Sequence, residues 1–148
     1  MDIGSGKGYP ENSLSNFAPH KFVIDGVECN SMEGFLQSLK FSNPEMQEYI
    51  CTLVGKNAKF KGKKKKWWKN QILFWRGNPI KRDSIEYQKL LDRAYVELYK
   101  NVGFRKALDA TGSAVLTHSI GKRKISETVL TVQEFCGRLM ALRDNGEL

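Results

Sequence analysis

Histidine, cysteine and proline are scarce in this chain, at two, three and four residues out of 148. His20 and His118 are far apart and have no cysteine or carboxylate at metal-ligand spacing, so the sequence offers no metal site. Cys29, Cys51 and Cys136 are an odd count with no CxxC pair. They read as small reduced thiols in a cytosol-like compartment, neither a disulfide framework nor catalytic nucleophiles. No apolar run approaches the ~20 residues a membrane-spanning helix needs. The opening MDIGSGKGYPENS has no apolar core, which excludes a secretory signal. Its GSGKG lacks both the spacing and the preceding strand of a phosphate-binding loop.

What is present is ordinary in amount. Hydrophobic residues make up 41% and charged residues 27%, close to globular averages and unlike a disordered chain. The length suits one domain that folds without disulfides or metal. Neither an internal repeat nor a linker divides it. Residues 1–13 are small and polar and are expected to form a flexible segment ahead of a single domain over 14–148.

Hydrophobic spacing predicts a mostly helical α+β domain with a short hairpin and few strands. Asp25-Gly26 stands between the alternating pairs Phe22/Ile24 and Val27/Cys29, a hairpin signal. Ser31 is a helix cap, with Met32, Phe35, Leu36 and Leu39 at helical spacing over 31–41. Asn43-Pro44 opens a second helix with Met46, Tyr49, Ile50 and Leu53 inward, stopped by Gly55. A basic loop then runs to Gly77-Asn78-Pro79. From Asp83 or Ser84 a long helix places Tyr87, Leu90, Leu91, Ala94, Tyr95 and Leu98 on one face. A short helix over 104–110 and a strand over 114–118 follow. Thr131 and Glu134 form a capping box for a last helix carrying Phe135, Leu139, Met140 and Leu142.

Acid is missing where base is densest. Between Tyr49 and Arg82 stand eleven basic residues and no carboxylate; the whole chain carries +8, so the remainder sums to −3. Lys63, Lys64, Lys65 and Lys66 form the densest run, followed directly by Trp67 and Trp68, with Trp75 beyond. Such a block gains free energy when phosphates displace its counterions, and indole faces stack on bases. Lys63 to Lys66 with Trp67 and Trp68 are the candidate nucleic-acid-binding set; the competing reading is a solvated lysine loop with tryptophans in the core.

The first predicted helix carries a second polar feature. At about 100° per residue, Glu33, Gln37 and Lys40 fall in a narrow stripe away from the apolar face. A carboxylate, an amide and an ammonium then point together, with Glu33 in the first turn where the helix dipole favours an anion. An ordinary solvated face is the alternative.

LSNFAPHKFVIDG followed by SMEGFLQSLKF resembles the opening of the NADAR family, the YbiA-like N-glycosidases, on Ser15, Asn16, Phe17, Ser31, Glu33, Gln37, Lys40 and Phe41. Weaker matches follow at Ala58 with Gly62-Lys63, at Pro79 to Arg82, and at Gly137, Leu139, Met140 and Arg143. There are departures. Gly34 stands where the family usually has His, Ser84 replaces a Trp, and the family's acidic stretch ending in Trp-Gly is shortened to LTHSIGK.

The resemblance implies hydrolysis of a base–ribose C1′–N bond through an oxocarbenium-like state. Glu33 and Lys40 are then catalytic. Asn16, Phe17, Gln37, Trp75, Arg82 and His118 are substrate-binding, Trp75 replacing the missing ring and the Arg82 fork binding a phosphate. No metal or redox cofactor is implied. The long basic track favours removal of ADP-ribose from guanine in nucleic acid, or from a nucleotide-like guanine derivative, over hydrolysis of a phosphorylated riboflavin intermediate. A non-catalytic ADP-ribose or nucleic-acid binding module is the rival of another class. The implied setting is the cytoplasm of a bacterium, or of one infected by a virus, with no membrane partner.

Overall fold

A computed structural model describes residues 1–148 as an α+β domain with seven helices and two small antiparallel sheets. The helices are α1 (Glu11–Leu14), α2 (Met32–Ser38), α3 (Pro44–Cys51), α4 (Gly55–Lys63), α5 (Ile85–Tyr99), α6 (Val102–Ala110) and α7 (Val132–Asn145). The sheets are the hairpins β1 (Phe22–Ile24) with β2 (Val27–Cys29) and β3 (Ile72–Trp75) with β4 (Asn78–Lys81). No helix is long and apolar enough to cross a membrane.

The first hairpin forms where Asp25-Gly26 predicts it, both residues at positive φ, and alternation turns Phe22, Ile24, Val27 and Cys29 inward. Ser31 caps α2 by accepting from the Gly34 N–H, and α2 packs against both α3 and α4. Helix α5 buries all six residues that its periodicity selects. The Thr131–Glu134 capping box of α7 is present, with Phe135, Leu139 and Leu142 buried. Met140 is only partly buried.

Four local expectations are corrected. In α3 the inward residues are Gln47, Ile50 and Cys51, whereas Met46 and Tyr49 are 43% and 49% exposed. Gln47 takes the inward place because its amide donates to the carbonyls of Ser38 (3.1 Å) and Phe74 (2.8 Å), tying α3 to the end of α2 and to β3. The stretch read as one basic loop is instead α4, a single 3₁₀ turn over Trp67–Lys69 and the second hairpin. In that hairpin Pro79 sits on an edge strand, where its missing N–H is harmless. The segment 114–118 forms only a bridge between Thr117 and Asp2.

The fourth concerns residues 1–13. Ile3 is buried in the core, its N–H donates to the Thr117 carbonyl at 2.8 Å, and the Asp2 carboxylate accepts from the N–H and hydroxyl of Ser119. Composition hides this because the contacts lie more than a hundred residues away in sequence.

Candidate functional site

The stripe Glu33, Gln37 and Lys40 lies on the floor of a cavity of about 480 Å³, within the usual range for small-molecule sites. The Ser15–Phe17 segment covers the start of α2, where the Glu33 N–H donates to the Asn16 carbonyl at 3.0 Å. Asn16 is held in turn, because its side-chain oxygen accepts from the buried Tyr95 hydroxyl at 2.9 Å. Lys59 of α4 and the nearly buried Trp67 form one side. His118 to Lys122 and Glu127 to Leu130 form the other.

Two glycines bring the helices close enough to build this floor. A β-carbon on Gly34 would stand 2.6 Å from the Leu53 carbonyl oxygen and 2.9 Å from that of Ile50. Position 34 therefore has no room for a side chain. On α4, Gly62 lets Gln37 and Lys40 lie directly against that helix's backbone.

The electrostatics follow from this burial. Loss of water pushes the Glu33 carboxyl above its usual range, while a 2.6 Å hydrogen bond from the Gln37 amide and the Lys40 and Lys59 cations pull the other way. Burial lowers the Lys40 ammonium, opposed by Glu33 and reinforced by Lys122. The result is an anion made more basic beside a cation made more acidic, a pairing suited to proton transfer. His118 donates from Nδ1 to the Ile3 carbonyl at 2.8 Å and packs edge-on against Phe135.

Of the residues named from sequence, Asn16, Phe17, Glu33, Gln37, Lys40, Trp67 and His118 meet at this cavity. Trp75 and Arg82 do not. Trp75 is buried, stacks edge-on against Phe35 and donates from Nε1 to the Asp25 carboxylate at 2.8 Å, tying β3 to the first hairpin. Arg82 is fully buried and has no path to a phosphate. It makes a two-pronged ion pair with Glu134 (2.6 and 3.0 Å) and donates to the Thr128 carbonyl at 2.8 Å. It thereby holds the cavity wall from behind. Lys63 to Lys66 and Trp68 are exposed outside the cavity. Lys59, Lys122 and Glu127 line the cavity without having been singled out. Lys59 stands four residues before Lys63 in the basic stretch, so helical spacing was a usable signal; Lys122 and Glu127 had none.

The fold is shared with the E. coli protein YbiA. Its NMR structure superposes with a TM-score of 0.62 over 97% of this chain and 82% of that one, at 19% identity. This is a YbiA-like α+β domain with a polar cavity over one helix. Residues 8–144 match the family described as Bacteriophage protein GP30.3. A relative from Enterobacteria phage T4, described as an uncharacterized 17.1 kDa protein in the Gp30-rIII intergenic region, is 39% identical over 98% of this chain and 97% of its own. The chain belongs to the GP30.3 family of bacteriophage proteins.

Proposed function

We propose that this protein is an N-glycosidase of the NADAR type that removes ADP-ribose from guanine in nucleic acid, in the cytoplasm of a phage-infected bacterium. The observation that carries the reading is the triad Glu33, Gln37 and Lys40 at the cavity floor, Gln37 buried and the two charged groups partly so, with Glu33 raised in basicity by its loss of water. In the reaction the C1′–N electron pair leaves with the base as C1′ becomes oxocarbenium-like. Glu33 stabilises that cation and takes a proton from the attacking water, whose oxygen bonds to C1′. Lys40, with its pKa lowered by burial, donates a proton to the departing nitrogen and is restored by the proton on Glu33. Gln37 orients Glu33, Trp67 and Phe17 offer ring faces to the base, and Lys59 and Lys122 face the phosphates. No metal or redox group enters these steps.

The surrounding charge favours a modified nucleic acid over a small phosphorylated metabolite. Lysines at the cavity rim continue into the exposed lysines of α4 and the turn after it. The test is release of free ADP-ribose from an oligonucleotide carrying guanine-linked ADP-ribose, followed by mass spectrometry, with Glu33→Gln alongside. Release by the wild type alone supports the reading. No release with tight binding by both proteins replaces it with the binding module; no release and no binding redirects it to the riboflavin intermediate.

A further inference from the structure

Helix α4 separates the cavity from a second hollow that the proposed reaction does not use. Ala58 and Gly62 of α4 are buried against α2, while Lys59 lines the cavity. On the opposite flank the Lys61 Nζ stands 5.7 Å above the Tyr49 ring. At helical spacing Phe60 falls between these flanks, on the crest, and it is 56% exposed. Beyond the crest lies a groove of about 500 Å³ lined by Phe41, Asn43, Glu45, Met46, Tyr49 and Lys65. Lys65 Nζ sits 4.8 Å over the Phe41 ring. The two hollows adjoin in the chain itself, since Lys40 lines one and Phe41 the other.

The composition of this face is unusual for solvent. Tyr49, Phe60 and Trp68 are substantially exposed in or beside a lysine-rich stretch with no carboxylate between Tyr49 and Arg82, and exposed Met46 adjoins them on α3 beside Glu45. Exposed rings alone indicate an apolar partner, and exposed lysines alone any polyanion. Rings interleaved with lysines fit one ligand chemistry, alternating flat apolar bases and phosphates. A duplex hides its base faces from such rings; a single strand presents them. Glu45 and Asn43, at the groove edge, offer an acceptor and an amide to base edges.

We propose that the groove between α3 and the turn before it is a nucleobase subsite for a single-stranded polynucleotide, which crosses the α4 ridge from the nucleotide held in the cavity. The assignment of the modified nucleotide to the cavity rests on the glycosidase reading; the subsite itself does not. Its role is to position the strand and to select unpaired over paired nucleic acid.

The test is binding of fluorescein-labelled oligothymidine, oligouridine and a duplex of equal length, measured by anisotropy across a salt series. The wild type should prefer both single strands to the duplex, with the two single strands separating DNA from RNA preference. Tyr49→Ala and Phe60→Ala should each weaken single-strand binding about tenfold, the scale of one lost stacking contact. Lys61→Gln with Lys65→Gln should flatten the log–log salt slope by about 1.4, two phosphate contacts on a single strand. Lys89→Gln with Lys106→Gln, on α5 and α6, should change neither quantity, and thermal melting would confirm folding of each variant. On an ADP-ribosylated oligonucleotide Tyr49→Ala should raise KM with little change in kcat, and on ADP-ribosylated guanosine it should change neither. Equal binding of duplex and single strand, or loss of affinity through the lysines with none through Tyr49 and Phe60, would overturn the subsite. Ring-dependent single-strand binding without any ADP-ribose release would uphold the subsite and sink the glycosidase reading.

Discussion

The side-chain oxygen of Gln37 lies 1.8 Å from the point where a β-carbon on Gly62 would stand. Helix α4 therefore touches the polar stripe that begins in α2 through a missing side chain. In an exposed helix Gly→Ala stabilises by about 0.5–1 kcal/mol. Here Gly62→Ala must displace Gln37 and, through the 2.6 Å bond, Glu33. We expect turnover to fall by about 10²-fold, the scale of an ångström-sized misplacement, with a smaller change in melting temperature. Turnover near wild type, with the small helix gain in stability, would show that Gln37 does not set the Glu33 geometry.

The pH profile of hydrolysis should carry the mark of burial. As the proposed base, Glu33 would act only when ionised, so the acid limb of kcat/KM should lie above the ordinary glutamate value of about 4.3. Gln37 donates to the ionised form and lowers this limb. Gln37→Leu removes that donor, and the limb should move to higher pH. A limb that stays in place or moves down contradicts the assigned role, and the measurement is a set of initial rates across the acid range.

Arg82 and Glu134 make a buried ion pair whose rupture leaves an uncompensated charge. Arg82→Met should cost about 3–5 kcal/mol in urea unfolding, and the double change with Glu134→Leu should recover part of it. Burial raises the Glu134 carboxyl, but the bonds from Arg82, Gln88 and the Thr131 N–H more than offset this, and its net shift is downward. A carboxyl lowered on folding contributes its full stability above its unfolded value, about 4.3, and loses it as pH falls through the folded value. Acid unfolding of Glu134→Gln should therefore be shallower than that of the wild type below about pH 4.3.

Trp75→Phe separates a structural indole from a substrate-stacking one. It keeps a ring against Phe35 and removes the bond to Asp25, so stability should drop by about 1–3 kcal/mol. KM for the ADP-ribosylated substrate should not change. A large KM effect with intact stability would return Trp75 to the pocket.

Helix α5 and the first hairpin were legible because their inward faces are made only of apolar residues at regular spacing. The stripe of α2 was legible for the same reason, as the polar complement of such a face. Helix α3 was not, because its inward face includes Gln47, whose amide reaches two carbonyls on other elements that no local pattern reveals. Arg82 and Trp75 were misplaced because their partners, Glu134 and Asp25, lie about fifty residues away in sequence. An isolated arginine or indole has the same appearance whether it meets a ligand or a buried carboxylate. The cavity wall at Lys122 and Glu127 gave no signal, since its residues are ordinary loop residues until the fold sets them opposite α2.

The cavity floor is made early in the chain and its far wall late, at His118 to Leu130, with Arg82 and α7 bracing that wall. During synthesis the ribosome therefore releases α2, α3 and α4 well before anything can stand opposite Glu33. Such distant pairing is slow to close, and an incomplete chain displays the carboxylate and its lysines on an open face. The cavity is accordingly complete only once the chain through α7 has been made, so ligand binding there reports finished folding more faithfully than helix content does.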